Sequence, residues 1–375
     1  MRDRLLGGLT PRTFMQRHWQ KRPLLVRGAM PVLRGLSGKR ALAALAARDD
    51  VESRLVERRR GRWSVTHGPI PPARLERAGP LDWTLLVSGV NLHHAAADRL
   101  LRRFDFLPQA RLDDVMVSYA VPGGGVGPHA DSYDVFLLQG PGRRVWRLAP
   151  PRDWPLVEGA PLRLIADFAP DEEILAEPGD LLYLPPGWGH DGVALDHCFT
   201  YSVGFRAPRG AELGAAFLDW LHARGLPEGE YRDPGQLPAA HSARIPQALL
   251  RHADATLARM RWRRADVTDF LGEYLSAPKP HVSFEPRRRR LARAAFARRL
   301  ARADAVLDRR TQLLYLGRRF YLNGDALAPR PAARAPLARL ADARRISGRA
   351  LARGGLAELA REWYHDGVLH LERAA

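Results

Sequence analysis

A chain of 375 residues has room for two or three domains, and its 46% hydrophobic content is that of a globular protein. It holds no run of about 18 uncharged apolar residues to cross a bilayer, and its start, MRDRLLGGLTPRTF, lacks the apolar segment of an export signal, so a cytoplasmic protein with no membrane partner is expected. A single cysteine, Cys198, excludes an intramolecular disulfide and a multi-thiolate metal site, which leaves histidine and carboxylate as the available metal ligands.

The formal charge of +18 suits a polyanion such as RNA or a site close to the ribosome. Nearly all the cations are arginine, however, with lysine only at Lys21, Lys39 and Lys279, in a chain also rich in Ala, Leu and Pro. A compositional bias of the genome explains the charge as readily as RNA contact does.

From Phe14 to Ala29 the aromatics are spaced as in a short helix, and a β-rich run follows; this reads as a packing segment that closes a domain. Residues Asp82 to Leu101 read as a buried strand followed by a helix. Between Asp114 and Arg206 come short β-type runs broken by Gly and Pro, the pattern of a sandwich or barrel. From Ala211 to about Tyr274 apolar residues recur at three- and four-residue steps, as in helices that pack one face. After a basic, proline-containing stretch, the run from Arg309 to Leu327 suggests two strands around the Asn323-Gly324-Asp325 turn. Helices and a short strand end the chain, which together resemble a winged helix.

The chemistry sits in the β-rich part. His129-Ala130-Asp131 places an imidazole and a carboxylate at i and i+2, which on a strand face the same side. A third ligand should come from another strand. His190 fits, because it follows a strand that starts at Pro178-Gly179-Asp180 and ends at Pro185-Pro186-Gly187. Two histidines and one carboxylate form the facial set that leaves positions open on Fe(II) for an oxo-acid and oxygen. Alone, His-x-Asp is a weak motif; the second turn-bounded strand strengthens it. A hairpin through Gln139-Gly140-Pro141-Gly142 is expected to carry Arg144 onto the neighbouring strand, facing the same interior. There it would pair with the far carboxylate of 2-oxoglutarate; a surface position beside Arg143 is the bland alternative.

The span Tyr119–Leu148, then Glu177–Gly192 and Thr200–Pro208, resembles the bacterial JmjC-type ribosomal oxygenases, as do Phe14, Trp19, Lys21 and Pro23 near the start and Glu362–Glu372 near the end. The resemblance implies an α+β chain: a JmjC, cupin-like double-stranded β-helix (1–208), a helical dimerisation region (209–275) and a winged-helix domain (276–375). It implies a homodimeric enzyme that uses Fe(II), 2-oxoglutarate and O2 to hydroxylate an arginine of a large-subunit ribosomal protein. The ligands fall on His129, Asp131 and His190, and the 2-oxoglutarate contacts on Arg144 and Ser118. Tyr133, Asp134 and Trp188, close to the ligands, are candidates for an acidic and aromatic substrate pocket.

Three other readings compete. One is a nucleic-acid-binding regulator with an inactive barrel, against which the complete triad argues. A second is a cupin metalloenzyme without 2-oxoglutarate, against which Arg144 argues. The third is an oxygenase acting on a histidine or another side chain of a different protein.

Overall fold

The computed structural model describes residues 5–30 and 38–373; residues 1–4 and 31–37, in the expected oxygenase domain, and 374–375, at the end of the expected winged-helix domain, lie outside the described residues. The chain gathers into two units. The first is Met1–Ala207 with Lys279–Phe284, and the second is Pro208–Pro278 with Glu285–Ala375.

The first unit holds twelve strands: β1 (Leu24–Val26), β2 (Ser53–Arg59), β3 (Arg62–His67), β4 (Trp83–Val87), β5 (Leu112–Ala120), β6 (His129–Ala130), β7 (Val135–Gln139), β8 (Arg144–Ala149), β9 (Glu172–Ala176), β10 (Leu181–Leu184), β11 (Gly189–Ala194) and β12 (Cys198–Phe205). They form an eight-stranded sheet, β1-β10-β7-β12-β5-β4-β2-β3, and a four-stranded sheet, β6-β11-β8-β9. From β5 to β12 the chain passes repeatedly between the two sheets, which is the double-stranded β-helix that the sequence led us to expect.

The hairpin expected at Gln139–Trp146 does not form. β7 pairs with β10 and β12, whereas β8 pairs with β11 and β9, so residues 140–143 cross from one sheet to the other. The crossing is tight. Gly142 has a φ of +80°, and a Cβ there would stand 2.3 Å from the His197 carbonyl oxygen.

Period-two alternation decides what each strand offers to either side. On β7, β10 and β12 the residues Phe136, Leu138, Leu181, Tyr183, Tyr201, Val203 and Phe205 join a core on the outer face of the large sheet. There Phe14, fully buried, packs against Tyr183 at 5.0 Å and Phe136 at 5.6 Å between ring centres, so the N-terminal segment does close the domain. Burial of such a ring contributes about 1.5–3 kcal/mol. The alternate residues look inward between the sheets. One end is apolar, with Val135, Leu137, Leu182 and Leu184 against Trp146, Leu148 and Ile174. β5 and β12 instead turn Asp114, Met116, Ser118, Thr200 and Ser202 toward a cavity.

In the second unit lie the helices Gly210–His222, Gln247–Leu257 and Arg264–Ser276, the first two of which bury no residue. Helix Arg293–Leu300 follows, then β13 (Ala303–Leu307), β14 (Leu313–Leu316), β15 (Arg319–Leu322), β16 (Asp325–Leu327), helix Pro331–Ala343, β17 (Arg345–Ser347), helices Gly348–Arg353 and Ala357–His365, and β18 (Leu369–Arg373). One sheet runs β17-β13-β18 and the ribbon runs β14-β15-β16. The ribbon has three strands where two were expected. Gly317, at a φ of +61°, and Arg318 make the two-residue turn that joins β14 to β15. No helix among the described residues is long and apolar enough to cross a membrane.

Candidate metal centre and co-substrate cavity

β6 and β11 are paired so that His129 stands directly opposite His190, with ring centres 4.2 Å apart. Asp131 follows β6 immediately, and its Oδ2 is 3.8 Å from His190 Nε2. The ligand atoms of the three residues all lie within 4.8 Å of one another, close enough for a single ion to touch them all. Backbone carbonyls orient both rings. His129 Nδ1 donates to Gly127 O at 2.8 Å, and His190 Nδ1 to Trp188 O at 3.0 Å. A carbonyl oxygen only accepts, so Nδ1 carries the proton and Nε2 is left as the donor atom for a metal. Burial, and then the neighbouring His129, push His190 down to about 4, which keeps its ring neutral and able to ligate near pH 7. Gly187 N–H donates to Asp131 O at 2.8 Å and ties the Pro185-Pro186-Gly187 turn to the carboxylate ligand. A mixed imidazole and carboxylate set of this kind suits a first-row divalent cation with open positions.

Beside the triad opens a cavity of about 240 Å³, lined by residues of both sheets. Arg144 lies deep in it, 4% exposed, despite the missing hairpin, because β8 runs next to β11 in the small sheet. Along that pair His190 stands opposite Leu148, Gly192 opposite Trp146 and Ala194 opposite Arg144. Arg144 is therefore four residues, about 13 Å, along the strand pair from His190. Trp146 fills the position between, and Gly192 leaves room for its ring; a Cβ at 192 would approach Trp146 to 2.5 Å.

Arg144 has no carboxylate partner among the described residues. Its Nε is buried without a hydrogen bond, its Nη2 lies 3.8 Å from Cys198 Sγ, and its guanidinium stands 5.5 Å from the Trp146 ring centre. A buried unpaired cation is costly, so the site is built for an anion. Ser118 lines the same cavity, 4% exposed, with its Oγ 3.5 Å from Thr200 O.

Of the three residues named as substrate candidates, Tyr133 alone lines the cavity, 38% exposed, and burial followed by the charge of Asp131 raises its hydroxyl above the ordinary range. Asp134 is elsewhere. It is fully buried and accepts from Tyr183 Oη at 2.6 Å, Gln20 Nε2 at 2.9 Å and Arg111 Nη2 at 3.3 Å, so its lone pairs are spent inside the fold. Being near the ligands in sequence misled here, because Tyr133 and Asp134 flank the strand start and point apart. The Trp188 ring packs on the Val135–Leu184 side of the core, and the residue serves the centre through its carbonyl. The acidic part of the cavity comes instead from Glu52, Asp113 and Asp114. Asp114, Met116 and Ser118 recur at two-residue steps on β5, and the paired carboxylates Asp113 and Asp114 at the start of that mostly apolar strand were the signal available in the sequence.

Residues 99–213 match the JmjC domain model, and residues 259–370 match the model of the ROXA-like winged helix. The chain is 39% identical over 277 residues to the ribosomal protein uL16 3-hydroxylase of Escherichia coli, covering 73% of each chain. It superposes on the ribosomal oxygenase YcfD of Escherichia coli, solved with cobalt and 2-oxoglutarate, with a TM-score of 0.80 and 33% identity, covering 97% of this chain and 98% of that one. Rat ribosomal oxygenase 1 is 29% identical over 213 residues, which is 51% of this chain and 34% of the relative. Similarity that runs through both the barrel and the winged helix, at this level of identity, places the chain in the JmjC family of ribosomal oxygenases.

Proposed function

We propose that this oxygenase hydroxylates an arginine side chain of a uL16-type ribosomal protein, with Fe(II) held by His129, Asp131 and His190 and 2-oxoglutarate held at its far carboxylate by Arg144 and Ser118. The observation that carries the reading is Arg144, a buried guanidinium without a carboxylate of its own, in the cavity that the triad borders. The bound iron, 2-oxoglutarate and O2 supply the oxidation: one oxygen atom enters a substrate C–H bond and the other leaves in succinate as CO2 is lost.

The residues of the chain bind and orient. The two histidines present Nε2 because their Nδ1–H groups are engaged. Arg144 with Ser118 fixes the co-substrate by a charge-assisted fork. The apolar wall of Val135, Leu137 and Trp146 limits water. At the other end of β5, Asp114 stands four residues, about 13 Å, from Ser118, and with Asp113 and Glu52 it gives a cationic side chain its counter-charge. Tyr133 supplies an aromatic face beside them.

The same proposal includes a dimer. Helices Gly210–His222 and Gln247–Leu257 bury no residue, and Leu218, Leu250 and Leu257 are 56%, 50% and 62% exposed. A second copy of the chain would cover that face. A ribosomal-protein substrate favours action in the cytoplasm.

The test is mass spectrometry of the large-subunit proteins from cells with and without the gene. Loss of one oxygen atom from an arginine of uL16 upon deletion, restored by the unmodified enzyme and not by His129→Ala, is expected. An unchanged uL16 overturns the assignment of substrate.

A further inference from the structure

Among the acidic residues of the cavity sits a cation that the reaction does not require. Lys279 Nζ is 3.2 Å from Asp113 Oδ1 and 3.4 Å from Asp114 Oδ2 and so bridges both carboxylates. It lines the same cavity as the metal triad. Its segment, Lys279–Phe284, gathers with the oxygenase unit, although residues 208–278 and 285–375 gather with the other. Pro278 and Pro280 flank it. Each proline fixes its own φ and restricts the residue before it, so the backbone that delivers the ammonium is stiff.

Asp114 is 9% exposed, and besides Lys279 it accepts the Gly89 N–H at 2.8 Å. Asp113 has Arg206 Nε at 3.5 Å. Without Lys279, buried Asp114 would lose its ammonium partner, while Arg206 stays at Asp113 and Arg54 lines the same cavity.

We infer that Lys279 is a tethered stand-in for the substrate cation, a built-in competitor that a guanidinium displaces at a gain and an ammonium does not. This rests on the reading that Asp113 and Asp114 receive the substrate guanidinium. In the free enzyme Lys279 satisfies the pair, and on binding it yields Asp114 to the incoming side chain. A guanidinium gains from the exchange, because its planar fork makes two parallel bonds to one carboxylate where an ammonium is a point charge. A substrate lysine gains nothing. It replaces one ammonium by another and in addition loses the freedom of a separate molecule.

The test uses the full chain loaded with Co(II) and 2-oxoglutarate, and measures binding of a uL16 peptide centred on the hydroxylated arginine, of the same peptide with lysine there, and of the same peptide with alanine there. For Lys279→Gln the arginine and lysine peptides should both bind more tightly, each by about tenfold, which is 1.4 kcal/mol, while the alanine peptide is unchanged. Lys279→Arg should weaken the arginine peptide below the unmodified enzyme, because the tether then competes with a fork of its own. Unchanged affinity for the arginine and lysine peptides in Lys279→Gln, an equal gain for the alanine peptide, or tighter binding in Lys279→Arg overturns the stand-in role. A lower melting temperature with weaker binding in both variants makes Lys279 a structural ion pair and overturns it as well. Equal binding of the arginine and alanine peptides by the unmodified enzyme defeats the arginine reading itself, whatever Lys279 does.

Discussion

Arg144→Met separates a co-substrate anchor from a structural arginine, because the two roles predict opposite changes in stability. Methionine keeps much of the volume and removes the charge. In the enzyme with 2-oxoglutarate bound, the change breaks a buried charge pair, a loss of about 3–5 kcal/mol. At 1.4 kcal/mol per factor of ten, 2-oxoglutarate affinity should fall by roughly 100- to 4,000-fold. In the enzyme without co-substrate the sign reverses. Arg144 there is 4% exposed, has an unbonded Nε, stands beside the Trp146 ring and the Cys198 thiol, and makes no ion pair with a carboxylate among the described residues. Its contact with the ring, desolvated as it is, returns about 2 kcal/mol, less than the several kcal/mol that burying an unpaired ion costs. The variant should therefore melt higher than the unmodified enzyme when both are free of 2-oxoglutarate, by about 2–4 °C for each kcal/mol in a unit of this size. Calorimetric titration of 2-oxoglutarate with Co(II) present, and melting curves with and without it, give both quantities. A variant that keeps its affinity for 2-oxoglutarate and melts lower would refute the reasoning and make Arg144 part of the fold.

Gly192→Ala should crowd Trp146, which the added Cβ would approach to 2.5 Å, and cost about 1–3 kcal/mol; an unchanged melting temperature shows that the ring can move aside. Tyr183→Phe removes the O–H that donates to buried Asp134 at 2.6 Å and should destabilise by about 1–3 kcal/mol with Co(II) affinity unchanged, and a loss of metal binding instead would place Asp134 in the centre. In the second unit, burial raises the Asp308 carboxyl, but the bonds from His370 at 2.7 Å and Arg310 at 2.8 Å outweigh it and hold it well below the usual range. A depressed carboxylate adds stability that is complete above its unfolded pKa of about 4 and is lost as the pH falls through the lower folded value. Asp308→Asn should thus lower the melting temperature at pH 7 far more than in strong acid, and an equal loss at both would show that the charge is not the cause.

Much of this was legible in the chain because it depends on short-range rules. The i, i+2 spacing of His129 and Asp131, the turns that bound β10 and the Gly-Pro punctuation between strands report backbone geometry directly. The ribbon was half legible, since the turn at Gly317 and Arg318 adds a third strand to the two expected. Asp134 shows the limit. It is adjacent to Tyr133 and three residues from a ligand, yet strand alternation sends it into a network with Tyr183, Gln20 and Arg111.

Sequence by itself determined the candidate ligand types, the strand periodicity and the exclusion of a multi-thiolate metal site, because residue identity and period-two geometry are local properties. Only the tertiary structure decided that β7 and β8 belong to different sheets, that Arg144 nevertheless reaches the triad's cavity without a counter-ion, and that Lys279, more than 160 positions from Asp114, shares its carboxylate. Those facts rest on pairings between distant strands and on how charge is neutralised in a buried space, and neither is written in any one segment of the chain.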